Sequence, residues 1–585
     1  MKFAFLPKTT PDKQQRVYAD IWDSDWMKEH QRRLIQRGIL NAKIIPIILW
    51  SDGTQLTKFS HQQMHPIIAS CGSDPLSTRD GNEGKSLVGY IPSLVLSNVA
   101  KKHLPAFRLH LFHSCLWALL NDLLVVENTG VWFSVPNGKG GFEAQLFFPL
   151  LCCYVGDTPE LKKVAGMFSG GNDSSHQSPC WTCSVPGNHL NDINYQSQPG
   201  WTLWSKGEFA SRKTKMMNLK LAGEKDQMEE LSKNFSTHLE NNILAEMSSF
   251  CIPSDVVTDI DHDLPFGLGL FMVDNFKDVV NHHIGQTSLV EEIANTLADL
   301  YFRKLGLPAF LFPRTFVFGM VQGEKTFEKY RLLLWFLPFV LKRFFVDSKG
   351  VYGSIGAKIG KCFGLYYKVQ KSVYRETFSE KSLVDLGQVL KEFQKQVLEI
   401  YGPVSKTNLC TIKFHKIGEI VPQIKRYGRP KNTNTGRYEA CHQKFVKRVY
   451  LETSKKRQTA PEDMMDKVCT SLQRDLLDQG QRTREQPQSE PKLGSKSISL
   501  RGDQITQLPG CSQFFAQLQS FLQGQGVEVS QTQLKGLSMS CFAKAKLPPV
   551  PLFRKVISDY KVHSRLLFTT ARRNPVVITT KKEHP

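Results

Sequence analysis

Three carboxylates and one cysteine pair stand where residue type and spacing could do chemistry. Asp52 ends the apolar run Ile44-Ile45-Pro46-Ile47-Ile48-Leu49-Trp50-Ser51 and is followed by Gly53. A β-branched apolar run of this kind reads as a buried strand. An acid at its end can point into a crevice, although Asp-Gly is also an ordinary turn dipeptide. Asp157 repeats the device at the end of a second apolar run, 146–155, after Gly156. Glu439 is a lone acid among Lys431, Arg437, Lys444, Lys447 and Arg448. It suits either an ion pair or a metal ligand beside phosphate-binding cations. Cys180 and Cys183 have the C-x-x-C spacing of half a zinc site, with free thiols as the alternative. His176 and His189 flank the pair, and Asp259 and His262 form a D-x-x-H further on. Spacing alone leaves the remaining ligands open.

Other apparent motifs do not hold. Gly81-Asn82-Glu83-Gly84-Lys85-Ser86 resembles a phosphate loop, but that pattern needs a glycine where Arg79 stands. His61 and His65 lack the glutamate of H-E-x-x-H, because Gln62 takes its place and Pro66 follows at once. Arg501-Gly502-Asp503 reads as chance.

Elements must position these groups over a long chain. The 585 residues exceed one compact core and imply two to four units. With 41% hydrophobic and 22% charged residues, most of the chain should fold. The net charge of +21 favours polyanionic partners, since phosphate contacts release counterions. More than half of that excess falls in 401–460, with 14 Lys and Arg against Glu419, Glu439 and Glu452. Phe414, Tyr427, Tyr438, Phe445 and Tyr450 are interleaved there, as on a nucleic-acid face. The cations expected to touch DNA are Lys425, Arg426, Arg429, Lys431, Arg437, Lys444, Lys447 and Arg448, with a solvated basic helix as the alternative. The 13 scattered cysteines point to a reducing compartment. The first ten residues lack a signal-peptide core. No run is expected to span a membrane, the nearest being 332–341.

The periodicity predicts a helical segment over 1–40 and strands ending at Asp52, at 65–70 and at 87–92. The Gly-, Asp- and Ser-rich stretch 73–85 between them reads as a loop. A helix over 94–123, a strand over 142–155 and a helix starting at 158 follow. The first part of the core thus covers 41–168. A polar Cys-pair loop occupies 169–204, and a mostly helical block runs over 205–410. A basic helix in 411–470 follows. A Gln-, Arg-, Ser- and Pro-rich linker over 475–505 reads as disordered, before a small C-terminal segment, 506–585. The fold class is α/β, with a mixed sheet whose site lies at strand ends.

The segments ILWSDGTQLTKFSHQQMHPIIASCG, LVGYIPSL, YVGDTPELKKVAGMFSGGN, PCWTC and NTGRYEACHQKFVKRVYLETSKK, in this order, resemble the Plavaka-type transposases. These are grouped with the CACTA-like and Kyakuja–Dileera–Zisupton DNA transposons. The resemblance implies a ribonuclease H-like core with a DDE triad, split by a long helical insertion. It implies Asp52, Asp157 and Glu439 as the triad, holding two Mg²⁺ ions about 3.5–4 Å apart. Cys180 and Cys183 match the family's cysteine pair, implying structural Zn²⁺. Asn434, Thr435, Glu439, His442, Phe445 and Lys447 match around the third acid, whereas Tyr438 and Ala440 replace a proline and an arginine. The family's acidic-x-x-His motif after a proline is missing from 265–270, and Asp259 with His262 is a loosely aligned candidate for it. The implied function is Mg²⁺-dependent DNA strand cleavage and transfer at transposon ends, in the nucleus, on DNA and with a possible homo-oligomer. The alternative is a catalytically decayed or co-opted nuclear DNA-binding protein of transposon origin.

Overall fold

The computed structural model describes residues 2–12, 14–56, 63–91, 104–136, 141–168, 173–197, 201–299, 327–345, 352–454, 460, 462–471, 498–500 and 539–541. The chain divides into two units, Met1–Met465 and Asp466–Pro585.

The first unit begins with two short strands, β1 (Lys8–Thr9) and β2 (Arg16–Tyr18). They form a small antiparallel sheet with β10 (Phe378–Ser379). The helical segment expected over 1–40 is therefore shorter. It spans Asp25–Gln36 and starts where Ser24 caps it by accepting from the Met27 amide. Val17 and Tyr18 go to the sheet because a β-branched and an aromatic residue suit a half-buried pleat.

The main sheet has seven strands: β3 (Lys43–Ser51), β4 (Thr54–Gln55), β5 (Gln63–Cys71), β6 (Lys85–Ile91), β7 (Val131–Pro136), β8 (Phe142–Gly156) and β9 (Val256–Thr258). β6 pairs antiparallel with β5, and β5 antiparallel with β3. β3 then pairs parallel with β8, and β8 parallel with β9. β7 folds back antiparallel on the first half of β8. Ile44 to Ser51 are all buried, as the apolar run requires of a central strand.

β3 and β8 are out of step by one residue at Cys152. Ile47 faces Leu151, but Ile48 faces Cys153. Side chains alternate with period two, so a one-residue slip exchanges the two faces of a strand. Beyond the bulge, Trp50 faces Val155. Asp157, not Gly156, is therefore level with Asp52.

Further expectations need correction. The helical block 205–410 contains β9, a fully buried three-residue strand that returns to the sheet edge. Three residues are too few for period-two alternation to show. The stretch 73–85, expected as a loop, holds a short helix at Leu76–Asp80. The block also holds β10, and its long helices Ser288–Asp299, Phe327–Phe345, Gly353–Val373 and Glu380–Tyr401 pack around their own core of Leu334, Phe363, Tyr366, Phe393 and Tyr401.

The helix Leu104–Thr129 covers one face of the sheet through Leu109, Phe112, Leu116 and Leu120. Its residues Pro105–Thr129 are long and apolar enough to cross a membrane, contrary to the expectation that no run would be. In this fold it is a layer helix. The buried Glu127 carboxylate accepts from the Ser248 and Ser249 amides at 2.6 and 3.0 Å.

In the second unit, Ile498–Leu500 pairs antiparallel with Met539–Cys541. Those three residues fall inside the segment expected to be disordered. The remainder of 475–505 and nearly all of 506–585 lie outside the described residues, as does the start of the helix expected at 94.

The turn at Gly428 carries the chain from the helix Ile420–Tyr427 toward Glu439. Gly428 has φ +78°, and a Cβ there would lie 2.7 Å from the Ala19 carbonyl oxygen. That oxygen accepts from the Arg429 amide at 2.9 Å and from Asn432 Nδ2 at 3.0 Å. Gly428→Ala should therefore cost about 2 kcal/mol, read as a lower denaturation midpoint. An unchanged midpoint would mean that the turn is not held against Ala19.

Candidate active site

Three adjacent parallel strands end in aspartates. Asp52 follows β3, Asp157 follows β8 and Asp259 follows β9, where Gly156 faces Thr258 and the Asp259 amide donates to the Gly156 carbonyl at 3.3 Å. Crevices at the carboxyl ends of parallel strands are where α/β sheets place their sites.

A buried polar cluster fixes the first two acids against each other. Asp157 caps the helix Thr158–Val164, its Oδ1 accepting from the Glu160 amide at 2.9 Å. Glu160 reaches back under the sheet. It accepts from the Ser51 hydroxyl, from His65 Nε2 at 2.7 Å and from Lys163 Nζ at 2.7 Å. The Tyr154 hydroxyl donates to Ser51 Oγ at 2.6 Å. Ser51 precedes Asp52 directly, so Glu160 ties the Asp52 strand end to the Asp157 helix.

The charges are set by opposing effects. Burial penalises the Glu160 carboxylate, but His65 and Lys163 outweigh it and hold its pKa down at about 2. Asp52 goes the other way. Burial, reinforced by Asp157 and Glu160, pushes it up to about 6.

Glu439 arrives from nearly four hundred residues away. Tyr438 is fully buried, stacks on Trp50 with ring centroids 5.7 Å apart and shares a 2.5 Å hydrogen bond with Ser70 Oγ. Tyr438 thus docks this segment onto β3 and β5. His442 also packs on Trp50, at 5.1 Å. Glu439 Oε1 lies 3.3 Å from the Thr435 hydroxyl and 3.6 Å from His262 Nε2. Thr435 Oγ1 donates to Asp259 Oδ2 at 2.6 Å, and His262 Nδ1 bonds the same oxygen at 2.9 Å. The D-x-x-H pair therefore stands between the end of β9 and the third acid. Burial works against a charged His262, but Asp259, Glu439 and Asp157 overcome it and raise its pKa to about 9, making it an imidazolium at neutral pH. Burial also raises Glu439, with His262 opposing.

Asp52, Asp157 and Glu439 thus share one electrostatic neighbourhood. Asp157 and Glu439 both raise Asp52, and Asp157 raises Glu439. Mutual repulsion of partly buried carboxylates is the condition that a hard divalent cation relieves, and all the donors are oxygens. Their oxygens do not all lie within 4.8 Å of one another, as the ligand atoms of a second cluster do.

That second cluster is Cys180, Cys183 and His415, all buried. Cys183 Sγ lies 3.2 Å from His415 Nε2. The histidines next to the cysteine pair are elsewhere. His189 is exposed against Trp201, and His176 packs on Phe168. Sequence reading missed His415 because 232 residues separate it from Cys183.

The eight basic residues expected on DNA divide into two groups. Lys425 pairs with Glu380, Arg426 with Asp255 and Glu29, Arg429 with Asp20 and Glu376, Lys431 with Glu376, and Arg437 with Asp80. Among the described residues, Lys444, Lys447 and Arg448 carry no ion pair, and the last two are exposed.

Residues 1–242 match the family model for the Plavaka transposase. The match supports a Plavaka-type transposase and ends before Asp259, His262, His415 and Glu439. No curated protein matches the chain.

Two measurements check the electrostatics. Asp52 has a folded pKa of about 6 against an ordinary 3.8, so its folded-state charge is lost below pH 6, and the destabilisation grows from about pH 4 and is complete above about pH 6. Without divalent metal, Asp52→Asn should raise stability at pH 7 by up to about 3 kcal/mol, a gain that shrinks toward pH 4. A destabilised variant would contradict the strained pair. For Glu160 the sign reverses, because its folded pKa is lowered. Its contribution is complete above pH 4.5 and lost as pH falls toward 2. The stability gap between wild type and Glu160→Gln should be about 3 kcal/mol at pH 7 and close over that range. A gap independent of pH would exclude an ionised Glu160.

Proposed function

We propose that the chain is a DDE polynucleotidyl transferase of transposon origin that cleaves DNA strands and joins them to a target. One observation carries the reading: Asp52, Asp157 and Glu439, from distant parts of the sequence, meet in one electrostatic neighbourhood at the carboxyl ends of parallel strands. The strand order β6-β5-β3-β8-β9, antiparallel then parallel, fits a ribonuclease H-like core interrupted by the long, mostly helical insertion. The match to the Plavaka transposase over 1–242 covers the first two acids. The placement with CACTA-like and Kyakuja–Dileera–Zisupton elements rests on the sequence resemblance.

In this reading Asp52, Asp157 and Glu439 hold Mg²⁺. Bound Mg²⁺ would supply Lewis-acid catalysis of phosphodiester displacement and neutralise the phosphate. The chain's own groups do the rest. Glu160 and Ser51 keep Asp52 and Asp157 at a fixed separation. The His262 imidazolium, held by Asp259, balances Glu439 and offers a positive N–H toward a phosphate. Lys444, Lys447 and Arg448 lie just beyond Glu439 and hold the DNA backbone. Lys425, Arg426, Arg429, Lys431 and Arg437 contribute only if DNA displaces their carboxylate partners. Such a protein works in the nucleus, and a homo-oligomer would pair two DNA ends.

Asp52→Ala, Asp157→Ala and Glu439→Ala should each reduce Mg²⁺-dependent nicking of DNA by at least about 100-fold while DNA binding changes little. Nicking that survives all three changes would exclude the triad. DNA binding with no nicking by the wild type would favour the co-opted DNA-binding protein.

A further inference from the structure

We propose that Glu419 is the fourth ligand of a tetrahedral zinc ion held by Cys180, Cys183 and His415, and that this ion fastens the cysteine loop to the segment leading to Glu439. The inference rests on reading the cysteine pair as a structural zinc site.

His415 and Glu419 are four residues apart on consecutive turns, the first in Ile412–Lys416 and the second ending Ile417–Glu419. Both are buried. The two oxygens of Glu419 have different surroundings. Oε2 accepts from Lys416 Nζ at 2.8 Å and from Thr182 Oγ1 at 3.3 Å. Oε1 is buried with no hydrogen-bond partner and lies 3.9 Å from His415 Nε2. An ion pair with Lys416 accounts for Oε2 and leaves Oε1 unexplained. A buried unpaired carboxylate oxygen is costly, and an ion is one of the few things that satisfies it.

The spacing suits zinc. Zinc bonds of 2.0–2.3 Å in a tetrahedron set neighbouring ligand atoms about 3.3–3.8 Å apart. The observed 3.2 Å from Cys183 to His415 and 3.9 Å from His415 to Glu419 bracket that range. Glu419 lies outside the set of Cys180, Cys183 and His415 whose ligand atoms are all within 4.8 Å of one another, so ligation requires its side chain to rotate toward the ion. Soft thiolates with an imidazole select zinc over the hard cations that carboxylates alone attract. The charges also balance. Two thiolates and one carboxylate offset the zinc ion and Lys416, whose ammonium lies 4.2 Å from the centre of the Trp181 ring. His415 Nδ1 has no partner, and the Tyr195 ring at 4.4 Å supports the imidazole in place of a hydrogen bond.

The site touches both routes to the candidate active site. Trp181, between the two cysteines, donates from Nε1 to the carbonyl of Val256, the first residue of β9, at 2.9 Å. From Glu419 the chain runs through Ile420–Tyr427 and the Gly428 turn to Glu439. Zinc would therefore brace the strand that ends at Asp259 and the segment that supplies the third acid.

The test uses the full chain, stripped with chelator and titrated with zinc alone or with Co²⁺ as a spectroscopic probe. One zinc per chain is expected, and a tetrahedral Co²⁺ spectrum. Glu419→Gln should weaken zinc binding by at least about tenfold and alter the Co²⁺ bands, while His189→Gln changes neither. Glu419→His, which returns a nitrogen ligand, should recover affinity and so separates lost ligation from misfolding. Zinc should also slow hydrogen exchange over 428–442 in the wild type and not in Glu419→Gln. Absence of tightly bound zinc in the wild type, or an unchanged Glu419→Gln affinity and spectrum, would overturn the ligand assignment. Unchanged exchange would overturn the brace. None of these readouts involves DNA cleavage, so they stand or fall apart from the DDE reading.

Discussion

The parallel pairing of β3 with β8, slipped by one residue at Cys152, is the constraint on which the candidate site depends. Without the slip, Gly156 would stand level with Asp52 and the Asp157 carboxylate would leave from the other face. With it, two acids 105 residues apart share one edge. β9 then needs only a short ladder on the far side of β8 to bring Asp259 to the same level. Every later feature, from the Glu160 cluster to the docking of Tyr438, is built on that edge.

Such an arrangement sets stability against readiness. Three strand-end aspartates and Glu439 repel one another, and burial strengthens the repulsion. The fold offsets this with fixed groups on both sides. Beneath the sheet, Glu160 is matched by His65 and Lys163, and its charge is stabilised. Above it, Asp259 is matched by the His262 imidazolium and by Thr435. At Asp52 the opposing charge of His65 is outweighed by burial and the neighbouring acids, and its pKa is driven up to about 6. It is the first residue of the proposed Mg²⁺ site. Strain of this kind fits the reading of Asp52 as a functional carboxylate.

What was legible in the sequence was local. Apolar runs ending in aspartate marked β3 and β8, and Pro159 marked the helix capped by Asp157. The C-x-x-C spacing marked half of a metal cluster. What was hidden had weak local signal or depended on distant partners. β9 is three residues long, and its apolar run is too short to stand out from the helices around it. β7 is recognisable only as the partner of β8. Asp259 and His262 stood out in the sequence, but nothing local placed them beside Glu439. His415 sits in a short basic helix with no ligand spacing to the cysteines. The basic stretch was read correctly as basic, yet most of its early cations are matched by Glu29, Glu376, Glu380 and Asp255, acids scattered over 350 residues. Charge counted along a window overstates what a surface presents when partners arrive from elsewhere in the fold.

The insertion also changes meaning once its contacts are known. In the sequence it is a helical block that separates two acids from a third. In the fold it carries β9 and the D-x-x-H pair at one end and His415 and Glu419 just beyond the other, around a core of its own. A long excursion leaves its end points free to drift, because closing a loop of that length has an entropic cost and no built-in geometry. Rigid packing fixes the body of the insertion. What its body cannot fix are the two exits toward the sheet, and each exit is held by a polar anchor. The Trp181 bond to Val256 holds the first, and the Asn432 and Arg429 bonds to Ala19 hold the second. Glu439 is therefore positioned by contacts with the N-terminal and sheet segments, Ala19, Trp50 and Ser70, more than by the helix that precedes it. An acid so far away in sequence can serve the same site as Asp52 because the sheet itself receives it.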